Sequence, residues 1–78
     1  EINDNITIYP NPTNEFLFID SDVSMDKIII YDSRGRICFD RHVSSNTNKI
    51  DCSSFVKGIY TIDIIQDDET ITKRFVIR

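Results

Sequence analysis

Apolar residues along this chain recur with a period of two, and no stretch shows the 3.6-residue period of an amphipathic helix. Ile6 and Ile8 alternate with Thr7 and Tyr9, and Leu17 and Ile19 alternate with Phe16 and Phe18. "KIIIYD" (Lys27–Asp32) is a β-branched run that predicts a strand buried on both faces. "ICFDRHV" (Ile37–Val43), "KIDC" (Lys49–Cys52), "IYTIDIIQ" (Ile59–Gln66) and "TITKRFVIR" (Thr70–Arg78) continue the series. The alternation is cleanest in Ile59–Gln66, which places Tyr60, Ile62 and Ile64 on one face and Thr61 and Asp63 on the other.

Polar segments punctuate these runs. "DSRGR" is a turn in which Gly35 supplies positive φ. "SSNTN" reads as a loop, "SSFVKG" as a turn whose Phe55 plugs one end of the core, and the acidic runs Asp20–Asp22 and Asp67–Glu69 as solvated turns. Segments repeating at roughly 8–12 residues predict an all-β fold: an immunoglobulin-like antiparallel β-sandwich of about seven short strands. A five- or six-stranded barrel is the competing architecture. Leu17 and Ile19 are expected inside, so Phe16 and Phe18 face outward as candidate partner contacts unless a neighbouring strand covers them.

Seventy-eight residues make one small domain, with little room for a deep catalytic cleft beside a core. A net charge of -4 argues against a nucleic-acid partner. No apolar run reaches the length of a membrane span, and no secretory signal peptide opens the chain. The opening "EINDN" (residues 1–5) reads as a linker remnant of a longer protein, with the domain proper at 6–78.

Both prolines of the chain flank Asn11 in "YPNP". Proline lacks a backbone N–H and forces its predecessor out of helical geometry, so the pair is expected to end the first strand and hold the chain extended on its way to Phe16.

"YPNP" near the start resembles the opening motif of the C-terminal sorting domains that Bacteroidetes proteins carry for the type IX secretion system. "KIIIYDSRGR", "IDCSSFVKGIYTIDI" and "TKRFVIR" resemble the family's later motifs, in order and in spacing. The resemblance carries the sorting motif onto Pro10, Asn11, Pro12, Asp32, Gly35, Arg36, Gly58, Tyr60, Lys73, Arg74, Val76 and Arg78. It implies an address rather than a reaction: an outer-membrane translocon reads the folded domain at the end of a larger cargo. The protein crosses the periplasm in transit, and a cell-surface sortase-like peptidase then usually removes the domain, with the cargo attached to the surface or released. A carbohydrate- or protein-binding β-sandwich of an extracellular enzyme is the alternative, favoured by an exposed line of aromatics.

The residues themselves admit plainer roles. Gly58 reads as a turn glycine and Tyr60 as a buried ring with its hydroxyl bonded at the rim. Lys73, Arg74 and Arg78 read either as protection of an edge strand or as a basic edge that a partner recognises. Cys38 and Cys52 stand where the family has aliphatic residues. They are expected to be small buried hydrophobes rather than a disulfide, since a hairpin turning at Ser44–Ser45 would point them to opposite faces. Catalysis has little support, and a small hydrolase is a distant third reading: His42 is the sole histidine and Ser44, Ser45, Ser53 and Ser54 are read in turns without a nucleophile-elbow pattern. His42 and two cysteines offer too few ligands for a metal, and no cofactor is expected.

Overall fold

A computed structural model describes residues 5–78, so most of the expected linker remnant, Glu1–Asp4, lies outside the described residues. Five strands follow one another: β1 (Ile6–Tyr9), β2 (Phe16–Tyr31), β3 (Ile37–Asp51), β4 (Gly58–Gln66) and β5 (Glu69–Ile77). Every strand pair is antiparallel, in the order β1-β2-β4-β5 with β3 also against β2.

Five strands replace the expected seven because two predicted breaks are bends, not reversals. Asp20–Asp22 lies within β2 and "SSNTN" within β3, and these two strands run side by side through a shared corner. Their register slips between Asp20 and Met25 and again between Met25 and Lys27. A slip of this kind turns the strand and switches which side chains face inward. Before the corner the inward residues of β2 are Leu17 and Ile19, within it Met25, and after it Ile28 and Ile30. Polar side chains satisfy the backbone that the corner leaves unpaired. Asn46 Nδ2 donates to the carbonyls of Ser21 and Asp22, and the buried Gln66 donates through Nε2 to Ser21 Oγ (2.7 Å) and the Val23 carbonyl (3.1 Å).

The corner folds one continuous sheet into two layers. β1, the first half of β2 and the second half of β3 make one layer; the other halves of β2 and β3 join β4 and β5 in the second. Leu17, Ile19, Ile28, Ile30, Ile62, Ile64 and Phe75, drawn from both layers, are fully buried in a single core. A parallel bridge between Thr13 and Ile77 joins the layers along one side.

Tyr60, Ile62 and Ile64 point inward as the alternation requires, and Phe55 packs against the core end. The "KIIIYD" run is fully covered on one face only, since Ile29 and Tyr31 are half-exposed on the outer surface. Both cysteines are free, but only Cys52 is buried. Cys38 is exposed, correcting the expectation of a buried pair, because β3 follows a different path from the hairpin assumed. It lies where the β2–β3 register slips between Ile30↔Phe39 and Tyr31↔Ile37, as the extra residue of a bulge. Burial and the neighbouring Asp51 push the Cys52 thiol up to about 11.

Candidate functional site

Because β2 and β3 double back at their middles, both ends of each strand lie at one pole of the sandwich. Phe16 pairs with Asp51 and Tyr31 with Ile37, while Tyr31 also meets Thr61 near the start of β4. Gly58 pairs with Ile77 at the end of β5, and Ile77 meets Thr13. Motif residues scattered from position 10 to position 78 are thereby gathered at this pole.

The first and last motifs form a clasp. After β1 the chain bends at Pro10, Asn11 and Pro12, with both Xaa–Pro peptide bonds cis, rather than running extended as expected. The bend lays Asn11 and Thr13 along the outer edge of β5. Asn11 Oδ1 accepts from the Val76 N–H at 3.0 Å, and its Nδ2 donates to the Arg74 carbonyl at 3.4 Å. Thr13 N–H donates to the Val76 carbonyl and its own carbonyl accepts from the Arg78 N–H, each at 2.9 Å. The prolines, which have no N–H, bracket an asparagine that serves as a surrogate strand residue. Thr13 is buried and its hydroxyl donates to the Phe16 carbonyl, which fixes the entry to β2.

The second motif is a turn organised by one carboxylate. Asp32 Oδ1 accepts from the N–H of Arg34 (2.9 Å) and of Arg36 (3.0 Å), and Oδ2 accepts from Arg36 Nε (3.0 Å). The Asp32 N–H in turn donates to the Arg36 carbonyl. The N–H of Arg36, with that of Arg34 and the guanidinium beside it, holds the Asp32 carboxyl below the usual aspartate range against an opposing push from burial. Gly35 sits at φ 83°, a conformation that glycine adopts without steric cost.

The third motif lies alongside. Gly58 opens β4 at φ 154°, a backbone region essentially reserved for glycine. Tyr60 is buried between Phe55 and Phe75, ring centroids 5.5 and 5.7 Å away, and its hydroxyl donates to the Val56 carbonyl at the rim. A groove of about 260 Å³ separates the second and third motifs, lined among others by Arg34, Arg36, Val56, Lys57 and Ile59.

The basic residues of the last motif do not act alike. Lys73 pairs with Ile62 on the inward face of the edge strand, half-buried, whereas Arg74 and Arg78 are exposed. The backbone edge at Val76–Arg78 is taken by the clasp, so it is not an open edge for strand addition.

Phe16 and Phe18 face outward as expected and are partly covered. Tyr9 stacks on Phe18 at 5.5 Å, and the Lys49 ammonium sits 4.1 Å above the Phe16 ring and 5.9 Å from that of Phe18. A sugar-binding platform needs an open ring face, and Lys49 occupies that of Phe16. Among the described residues, no three or more His, Cys, Asp or Glu side chains are placed to hold a metal ion, and no helix is long and apolar enough to cross a membrane.

The sequence reading missed Thr13, Arg34, Val56, Lys57 and Ile59. Thr13 had a signal, a lone β-branched residue directly after the second proline. Arg34 and Lys57 become neighbours only through the pairing of β2 with β4.

The motif residues of the described chain thus meet at one pole of a folded all-β body. Its sequence matches the secretion system C-terminal sorting domain family over residues 7–78, and the chain belongs to that family. Comparison with curated proteins found no match. Among solved structures the chain is similar to part of PorZ of Porphyromonas gingivalis, described as an essential bacterial surface component of the type-IX secretion system. The two share 17% identity at a TM-score of 0.80 over 96% of this chain, which spans 12% of that protein.

Proposed function

We propose that this domain is the signal that directs a larger cargo across the outer membrane by the type IX secretion system. The translocon reads the folded pole; a sortase-like peptidase then removes the domain, and the cargo is anchored to the cell surface or released. Family membership over residues 7–78 is the observation that carries this reading. The clasp supports it physically: because Asn11 and Thr13 hold Val76 and Arg78, first and last motifs reach the receptor as one surface only when the domain is folded. The role needs no reactive group. Cargo attached before β1 would leave from the opposite pole, because Ile6 pairs with Ser21 beside the corner while Tyr9, at the other end of β1, leads into the clasp.

The test is a reporter fused upstream of residues 1–78 in a bacterium with a working type IX system. The reporter should accumulate outside the cell, lose the domain on the way, and stay in the periplasm when the domain is deleted. Equal export of the reporter without the domain would refute the reading.

A further inference from the structure

β2 pairs with β4 only from Lys27↔Ile65 to Tyr31↔Thr61. Beyond Tyr31 the chain leaves the sheet into the Asp32 turn, whereas β4 extends to Gly58, paired there with β5 alone. On the side where β2 would have continued, Gly58, Ile59 and Tyr60 have no strand beside them. The groove between the second and third motifs fills that missing position. Val56 and Ile59, 77% and 52% exposed, supply apolar contact at its wall, and Arg34 and Lys57 stand at its rim. Arg36 is engaged with Asp32, so the rim's outward charge falls to Arg34 and Lys57. The edge of β5 is clasped at its end, and the acidic residues of the opposite pole (Asp22, Asp26, Asp67, Asp68 and Glu69) would repel an anionic partner.

We propose that this notch is a docking site for a short extended segment, acidic and apolar in alternation, of the secretion machinery. The segment takes the place of the missing continuation of β2. Its backbone pairs with Gly58–Tyr60, an apolar side chain lies against Val56 and Ile59, and flanking carboxylates meet Arg34 and Lys57. This rests on the sorting reading and gives that signal its contact surface.

The test has two arms. In the first, the isotope-labelled 78-residue chain is titrated with a blocked pentapeptide of alternating glutamate and valine, and amide shifts are followed. Shifts should concentrate at residues 32–36 and 56–60. Binding should weaken by about tenfold for a lysine-for-glutamate peptide, for a peptide N-methylated on the valines, and for the domain with Arg34→Glu and Lys57→Glu together. Arg41→Glu, on β3, should leave it unchanged. Shifts centred elsewhere, indifference to N-methylation, or concentration-dependent pairing of the domain with itself through the notch would overturn the proposal. In the second arm the same variants are fused to the exported reporter. A folded Arg34→Glu/Lys57→Glu domain that exports as well as the original would overturn the notch while leaving the sorting role standing. If the unaltered domain exports nothing, the sorting role fails, and with it the identity of the partner.

Discussion

Asn11 and Val76, sixty-five residues apart, are joined by a hydrogen bond from the Val76 N–H to Asn11 Oδ1 at 3.0 Å. Asn11 lies in no strand, yet its side chain serves the edge of β5 as a strand backbone would, accepting from Val76 and donating to Arg74. The two ends of the described chain are thereby closed on each other.

Asn11→Ala should therefore loosen the end of β5 without disturbing the core. Two exposed hydrogen bonds are lost, costing about 1 kcal/mol and lowering Tm by about 4–8 °C in a domain of this size. Amide exchange at Val76 and Arg78 should accelerate more than at Ile62 or Ile64. Uniform acceleration across the domain would show that the clasp is not a local element.

Gly35→Ala and Gly58→Ala separate backbone conformation from packing. A Cβ placed at either position meets nothing within 4 Å, so any cost is that of positive φ. Gly35→Ala should cost about 1–2 kcal/mol, with Gly35→Asn milder because asparagine tolerates the left-handed region. Gly58→Ala should cost about 1–3 kcal/mol, and Gly58→Asn should recover little there. Urea unfolding of the four variants checks the order; full recovery by Gly58→Asn would contradict it.

Asp32 and Asp51 predict how the domain responds to acid. The Asp32 carboxyl is lowered chiefly by the Arg36 N–H, and that of Asp51 chiefly by the Ser53 hydroxyl and N–H. A carboxylate lowered on folding contributes stability that is fully present above its unfolded value of about 3.9 and is lost as pH falls through the native value. Tm should hold steady above about pH 5 and drop below about pH 4 as both groups protonate. Asp32→Asn should have a lower Tm than the parent at pH 7, with the gap closing toward pH 2. A gap of constant size would assign the turn's stability to hydrogen bonding alone.

The fold was legible where side-chain alternation decides it and illegible where backbone pairing does. Tyr60, Ile62 and Ile64 declared their face because period two admits one choice, and "DSRGR" declared its turn through glycine. The corner in β2 and β3 was mistaken for two loops because "DSD" and "SSNTN" are polar, and polarity does not distinguish a bend from a break. A separate slip in register, between Ile30 and Tyr31, puts Cys38 outside against expectation, since a bulge is set by how two strands pair and not by the alternation within one of them. At the pole, individual motif residues were visible through family resemblance. The notch was not, because it is the absence of a neighbour, and a single strand's sequence does not state how far its partner runs.

Removing the last three residues is the obvious way to ask whether the basic ending is itself the signal, and the structure shows why that experiment misleads. Ile77 is 4% exposed within the core, and the N–H of Val76, its carbonyl and the Arg78 N–H are all held by Asn11 and Thr13. Trimming Val76–Arg78 removes a buried isoleucine and three of the clasp's hydrogen bonds. The loss is about 3–5 kcal/mol or more, comparable to the whole stability of many small domains. The trimmed domain should unfold and fail to export for that reason alone. Arg78→Glu keeps Ile77 and every backbone bond while reversing the exposed charge. If the cation is read directly, this variant should retain the parent circular dichroism spectrum and a Tm within about 2 °C, while export of a fused reporter falls sharply. Undiminished export by the folded Arg78→Glu domain would leave the last residue with a purely structural role, as the backbone partner of Thr13.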